Sequence, residues 1–239
     1  WTGGNQGLDN KFELLNGGTG ESLASFDHSC GGYGGLVDGN GVLLSVDRTF
    51  GHTALLRYQD EGTFSCITEY DSYGLGIDTS GNIWNSQNNI YQLLVKLSPA
   101  GAFLLSVATG GEGLDRGVAV SPVDDNVWVA NSGGNDVSRI TNSGTALGTV
   151  SLGNDGYFPT GVAVDHNGKI WVTCKSSNTV KRINPSGGGL GTVDVTKDLG
   201  GGATPYNYSD MTGMVGLETS GTGTWIVTHD GGPAQEIGW

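Results

Sequence analysis

Short apolar runs separated by turn residues recur along the whole chain. The clearest example spans residues 158–193, where GVAVD, KIWVTC, TVKRINP and LGTVDV alternate with clusters of Gly, Asn, Asp and Ser. Runs of this length, rich in Val and Ile and bounded by turn residues, are typical of β-strands. The DHNG segment at positions 165–168 predicts a tight turn, because Asn and Gly adopt positive φ at low cost. One unit is therefore predicted to contain four antiparallel strands.

The same unit recurs at a nearly constant spacing. Trp84, Trp128 and Trp171 occupy the second predicted strand of successive units, at intervals of 44 and 43 residues. Leu44 takes the equivalent place in an earlier unit, and Trp225 follows Trp171 after 54 residues. A period in the low forties with four strands per unit predicts a β-propeller. Neighbouring sheets then stack around a common axis, because no sheet can bury both faces alone.

The units also predict the domain organisation, which is a single β-propeller domain over residues 1–239. Units begin near positions 31, 72, 115, 158 and 211. Residues 1–29 and 211–239 are expected to share the blade that closes the ring, which removes exposed sheet edges. This arrangement predicts five blades. Trp1 and Trp225 both fit a second-strand position, so six blades is the alternative.

The best-formed unit, at residues 159–187, resembles a known repeat. Its sequence PTGVAVDHNGKIWVTCKSSNTVKRINPSG is similar to the P-x-G-[IV]-A-V-D-x-x-G-x-[IL]-W-V and N-x-[IV]-x-[KR]-[IL] patterns of NHL-type and virginiamycin B lyase-like β-propellers. The units from Ser72 and Asp115 match less fully. The resemblance implies the propeller fold and leaves the function open, since these propellers include binding modules, scaffolds, lyases and hydrolases.

Charge narrows the classes of partner. The 239 residues carry a net charge of −13, and an acidic surface repels phosphate backbones and anionic lipid, so neither nucleic acid nor a membrane surface is an expected partner. No apolar run reaches the length of a transmembrane helix. No signal peptide is visible, but the chain opens on Trp1, and we expect it to be a trimmed part of a larger extracellular protein.

The three cysteines indicate an oxidising compartment. Cys30 lies just before the first strand of its unit and Cys66 lies in the last strand of the same unit. We expect a disulfide between them, with two free thiols as the alternative, and hence a secreted or cell-surface protein. Cys174 ends a second strand and is predicted to be a buried free thiol.

Candidate ligand-binding residues come from two sets of loops. In a propeller, the loops between successive blades and the loops after each second strand meet at one mouth of the central channel. There this chain offers aromatic, amide and cationic side chains, a mixture suited to a glycan or glycopeptide. The alternative is ordinary solvated loop residues. The predicted ligand-binding residues are Tyr33, Tyr73, Arg116, Asn131, Tyr157 and Lys175, and the same loops also contain Asp115, Phe158 and Asp210.

Catalytic residues are expected only by resemblance. Virginiamycin B lyase-like enzymes imply a His general base at the mouth, beside acidic residues that hold Mg²⁺. His52, His229 and Asp230 fit this pattern, with Asp47 and Asp230 as candidate metal ligands, but no Glu occupies a matching position. The DGNG, DTSGN and DHNG turns lack the spacing of a calcium loop. We therefore expect no cofactor, with Ca²⁺ or Mg²⁺ as the alternative.

Two functions follow from these observations. The first is a non-catalytic binding or scaffold module, secreted or surface-exposed, for a glycan, peptide or protein partner. The alternative is a lyase or hydrolase of the virginiamycin B lyase-like type that uses a divalent metal at the channel mouth.

Overall fold

The chain is all-β, as the repeat predicts. A computed structural model describes residues 2–3, 11–38, 40–47, 54–60, 63–67, 71–87, 91–186, 189–207, 224–227 and 235–238. Apart from one 3-10 turn at Lys175–Ser177, their regular structure is β-strand. None of the described residues forms a helix long and apolar enough to cross a membrane.

The strands fall into three groups along the chain. The first group comprises β1 Thr2–Gly3, β2 Lys11–Leu15, β3 Ser22–Asp27, β4 Gly34–Val37, β5 Leu43–Asp47, β6 Ala54–Asp60 and β7 Thr63–Ile67. The second comprises β8 Ser72–Ile77, β9 Ile83–Gln87, β10 Leu93–Leu97, β11 Phe103–Ala108, β12 Asp115–Val120, β13 Val127–Asn131, β14 Asp136–Ile140 and β15 Ala146–Ser151. The third comprises β16 Pro159–Val164, β17 Ile170–Cys174, β18 Thr179–Asn184, β19 Thr192–Asp198, β20 Thr224–Val227 and β21 Gln235–Gly238.

Successive strands pair into antiparallel meanders. Four of these sheets have four strands each: β4–β7, β8–β11, β12–β15 and β16–β19. Strands β1–β3 form a three-stranded sheet, and β20 pairs with β21. The four-stranded unit is thus confirmed. The first strand predicted near Met211 lies outside the described residues, and the number of blades and the shared closing blade stay predictions.

Each recurring tryptophan is covered by a cation from its own sheet. The strand register places the third-strand cation directly opposite the tryptophan of the second strand, at 5.0, 5.0 and 5.5 Å from its ring, in the pairs Lys96–Trp84, Arg139–Trp128 and Arg182–Trp171. Trp84 and Trp128 are fully buried and pack with residues of the following sheet. The tryptophans therefore serve packing between sheets, and the [KR] of the repeat supplies the cation–π partner.

The first strands of neighbouring sheets approach each other very closely. A Cβ atom at Gly74 in β8 would collide with the carbonyl oxygen of Arg116 in β12. One at Gly117 would lie 2.7 Å from the carbonyl oxygen of Thr160 in β16. The glycine at this place in the first strand is therefore needed for the close approach. As a result, side chains at equivalent positions of β8, β12 and β16 become neighbours.

The predicted disulfide is confirmed. Cys30 and Cys66 are bonded, with a Cα–Cα distance of 6.1 Å. The bond ties the segment between β3 and β4 to β7, the strand at the opposite edge of that sheet from β4. Cys174 is a buried free thiol, as predicted, and burial raises its pKa to about 11.

Candidate functional site

Arg116 lies at the centre of a cluster of aromatic rings. Its guanidinium carbon is 4.9 Å from the ring centroids of Tyr73 and Phe158 and 5.8 Å from that of Tyr206. Its Nη1 atom donates hydrogen bonds to the hydroxyl oxygens of Tyr73 and Tyr206, the latter at 2.7 Å. Together with two neighbours these residues form what we call the mouth cluster, which consists of Tyr33, Tyr73, Arg116, Phe158, Lys175 and Tyr206.

The repeat explains why residues so distant in sequence meet here. Tyr33, Tyr73, Arg116 and Thr160 occupy one equivalent position, three residues before the first-strand residue that pairs with the Trp or Leu of the second strand. The first strands pack side by side, so equivalent positions converge. Tyr33 contacts Tyr73 edge to face, with ring centroids 5.7 Å apart.

A second cation reaches the cluster from the loop after a second strand. Lys175 directly follows β17, and its backbone N–H donates to the carbonyl oxygen of Phe158 at 3.0 Å. Its Nζ atom lies 4.9 Å from the ring of Tyr206 and 5.9 Å from that of Phe158. The two loop classes predicted to share a mouth are thus brought together at these residues.

The two central tyrosines have different acidities. Burial raises the pKa of Tyr73, which is only 2% exposed. Burial acts in the same direction on Tyr206, but hydrogen bonds with Tyr73 and Tyr33 and the charge of Arg116 outweigh it and hold the pKa of Tyr206 below its usual value. The Tyr206 oxygen therefore carries the more negative character of the pair.

The positive charge of the cluster is not neutralised by the part of the chain that the structure describes. No salt bridge there involves Arg116 or Lys175. Asp115, although adjacent to Arg116, is fully buried, and its Oδ2 accepts a hydrogen bond from Thr109 at 3.0 Å. In a protein of net charge −13, this is a locally cationic surface.

A separate buried carboxyl group lies beside the cluster. Asp115 pairs in register with Asn131, whose Nδ2 donates to Asp136 at 2.5 Å and to Ser138 at 2.7 Å. Burial raises the pKa of Asp115 to about 7, and the charge of Asp136 acts in the same direction. Burial also raises the pKa of Asp136. Within the described ranges, no three His, Cys, Asp or Glu residues are placed to hold a metal ion.

The structure brings together four of the six predicted ligand-binding residues: Tyr33, Tyr73, Arg116 and Lys175. Asn131 instead belongs to the buried carboxyl group. Tyr157 is 50% exposed, and its carbonyl oxygen accepts a hydrogen bond from the Ser176 N–H at 3.2 Å. Ligand binding by these two residues stays a prediction.

Tyr206 was not predicted from the sequence, although a signal for it exists. Phe158-Pro159-Thr160 leads into β16, and Thr204-Pro205-Tyr206 follows β19 in the same way. Phe158 and Thr204 both have positive φ, at 56° and 38°. The residue after each proline therefore has the same relation to its sheet.

The residues expected by resemblance to act in catalysis are not tested. His52, His229 and Asp230 lie outside the described residues, as does Asp210. Asp47, the remaining candidate metal ligand, ends β5 and is buried. A histidine–carboxylate site and its metal therefore stay predictions.

Comparison with known proteins gives the fold. No protein-family model and no curated protein sequence matches the chain. Virginiamycin B lyase from Staphylococcus aureus has a similar structure, at 16% identity and a TM-score of 0.67, over 82% of this chain and 66% of that one. A streptogramin B lyase is similar at 20% identity and a TM-score of 0.69, over 82% and 64% of the two chains. A chain of a nidogen/laminin complex is similar at 16% identity and a TM-score of 0.61, over 83% and 76%.

These likenesses confirm the β-propeller fold and the resemblance to virginiamycin B lyase-like propellers at the level of architecture. The chain spans less than two thirds of the length of the two lyases. A catalytically inactive variant of the S. aureus lyase was crystallised with quinupristin.

Proposed function

We propose that this protein is a secreted or surface-exposed β-propeller that binds a glycan, peptide or protein partner at the mouth cluster and does not catalyse a reaction on it. The observation that carries the proposal is the convergence of four rings and two cations from widely separated parts of the chain. Aromatic surface with a few fixed polar groups is typical of ligand sites.

The cluster is preorganised for binding. Two tyrosine hydroxyls hold the Arg116 guanidinium, and the first strands beneath it are packed without room for a side chain at Gly74. A site held in this way loses little conformational freedom when a ligand enters.

The described histidines lie outside this cluster. His28 packs on Phe12 with ring centroids 4.5 Å apart, and His166 lies in the turn between β16 and β17. The described part of the cluster therefore lacks the side chain that most often serves as a general base. The disulfide between Cys30 and Cys66 supports an oxidising, extracellular compartment.

The proposal is tested with labelled protein on an array of glycans and peptides. The variants Y206A and K175A should lose binding that the unchanged protein shows. Lys169 and Lys175 flank the same strand β17 at opposite ends, so K169A is the matched control and should keep that binding. Binding that survives Y206A and K175A would place the ligand elsewhere and overturn the proposal.

The likeness to two lyases favours an elimination enzyme as the second candidate. Its residues would be His52, His229, Asp230 and Asp47 with a divalent cation at the mouth. Incubation with quinupristin and Mg²⁺, followed by mass spectrometry, tests it. Product formation that is lost in H229A would establish the enzyme and replace the non-catalytic proposal.

A further inference from the structure

We infer that the ligand of the mouth cluster is an acidic saccharide, which places a sugar carboxylate at Arg116 and Lys175. This inference rests on the proposed binding function and assigns the chemistry of its ligand.

The first argument is the crowding of like charge. The Arg116 guanidinium and the Lys175 ammonium both lie within 6 Å of the same two ring centroids, those of Phe158 and Tyr206. Two cations held this close repel each other unless an anion lies near both. No acidic side chain of the described residues forms a salt bridge with either cation. A carboxylate on the ligand would supply the missing negative charge.

The second argument is the hydrogen-bonding capacity that remains. Among the described residues, Arg116 donates only through Nη1, to the two tyrosine hydroxyls. Nη2 and the Lys175 ammonium therefore remain as donors for a carboxylate, which accepts charge-assisted hydrogen bonds from both kinds of cation.

The third argument favours a saccharide over an acidic peptide. Extended peptides commonly bind sheet proteins by adding to a free strand edge. At this cluster the first strands β8 and β12 pack against each other so closely that Gly74 meets the Arg116 carbonyl, which leaves no such edge between them. The half-buried rings of Phe158 and Tyr206 offer a surface for the C–H face of a sugar, and the tyrosine hydroxyls offer partners for its hydroxyl groups.

Isothermal titration calorimetry with two trisaccharides tests the inference. A β-linked trimer of glucose and the corresponding trimer of glucuronate differ only in the carboxylates. The unchanged protein should bind the acidic trimer at least about tenfold more tightly at low salt, and added NaCl should reduce this preference. K175Q should lose most of the preference, whereas K169Q, at the other end of β17, should keep it. Thermal unfolding shows that both variants are folded.

The outcomes separate this inference from the proposed function. Equal binding of both trimers, or an acidic preference unchanged in K175Q, would overturn the acidic-saccharide assignment. So would tighter binding of a hexaglutamate peptide than of the acidic trimer, because it would assign the site to peptides. In each case, array binding that is lost in Y206A would still support the proposed function. If no ligand of any class depends on the mouth residues, both proposals fail.

Discussion

The side-chain oxygen of Asn135 accepts a hydrogen bond from the backbone N–H of Phe158 at 2.9 Å. Asn178 makes the same bond with Thr204 at 2.8 Å. Both asparagines lie immediately before the third strand of their sheet with positive φ, at 52° and 56°. An amide in each unit thus holds the residue that leads out of the last strand toward the next sheet, and at Phe158 it holds a ring of the mouth cluster.

Replacing Asn135 should weaken both the fold and the site. N135A loses the hydrogen bond and places Ala in the left-handed region, so the free energy of unfolding should fall by about 1–3 kcal/mol. N135G removes the conformational cost but not the lost bond and should fall by less. Urea unfolding measures the difference. Both variants should also bind ligand more weakly, because Phe158 is no longer held; stability and affinity equal to those of the unchanged protein would contradict this role.

The buried carboxyl of Asp115 should make stability depend on pH. Burial raises its pKa in the folded state to about 7, above the ordinary value of 3.8. The folded state therefore favours the protonated form, and the contribution of this group is greatest below about pH 4 and is lost as pH rises to 7. The slope for one proton approaches about 1.4 kcal/mol per pH unit.

D115N keeps the shape and removes the ionisation, so its stability should decline less steeply between pH 4 and 7. Part of the slope should remain, because burial and the charge of Glu112 also raise the pKa of Asp136. Urea unfolding across this pH range makes the measurement, with the exposed Asp198 as the control site in D198N. Parallel curves for D115N and the unchanged protein would refute the assignment.

The ion pair between Lys96 and Asp78 should be essential to the fold. The Nζ–Oδ2 distance is 3.0 Å, and the two side chains are 9% and 0% exposed. K96M leaves a buried carboxylate without its cation and should cost about 3–5 kcal/mol in urea unfolding at pH 7. The double variant D78N/K96M should recover part of that loss.

Arg182 provides the comparison, because it covers Trp171 as Lys96 covers Trp84 but pairs with Asp194 at the surface. R182M should therefore cost less than about 1 kcal/mol. The pH dependence has a defined sign as well. Burial opposes ionisation of Asp78, but hydrogen bonds from Asn82, Asn142 and Lys96 lower its pKa to about 2, so its contribution is present above about pH 4 and is lost as pH falls toward 2.

Opening the disulfide should loosen the beginning of the chain first. C30S/C66S removes a cross-link between residues 36 positions apart and should lower the free energy of unfolding by about 2–4 kcal/mol. Hydrogen exchange should accelerate in β2 and β3 more than in β12–β15, because the bond ties the segment after β3 to β7. Dithiothreitol should reproduce the effect in the unchanged protein and add nothing to the double variant.

Those features that depend on the repeat were predictable from the sequence. Trp84, Trp128 and Trp171 located the second strands, and the shared position of Tyr73 and Arg116 in their units brought both to the mouth. Tyr206 was missed because it lies beyond Trp171 in a stretch where the repeat interval lengthens to 54 residues. The surroundings of Asn131 depend on contacts across strands with Asp115 and Asp136, which spacing along the chain does not reveal.

The pairs formed by Trp84 with Lys96 and Trp128 with Arg139 have a consequence for engineering. Each cation belongs to the same sheet as its tryptophan, while the tryptophan packs with the next sheet. A sheet thus presents a similar contact surface to its successor at each of these junctions. A duplicate of residues 115–158 spliced in before Pro159 would meet surfaces it already matches, so the circumference of the ring can be altered without inventing a new junction.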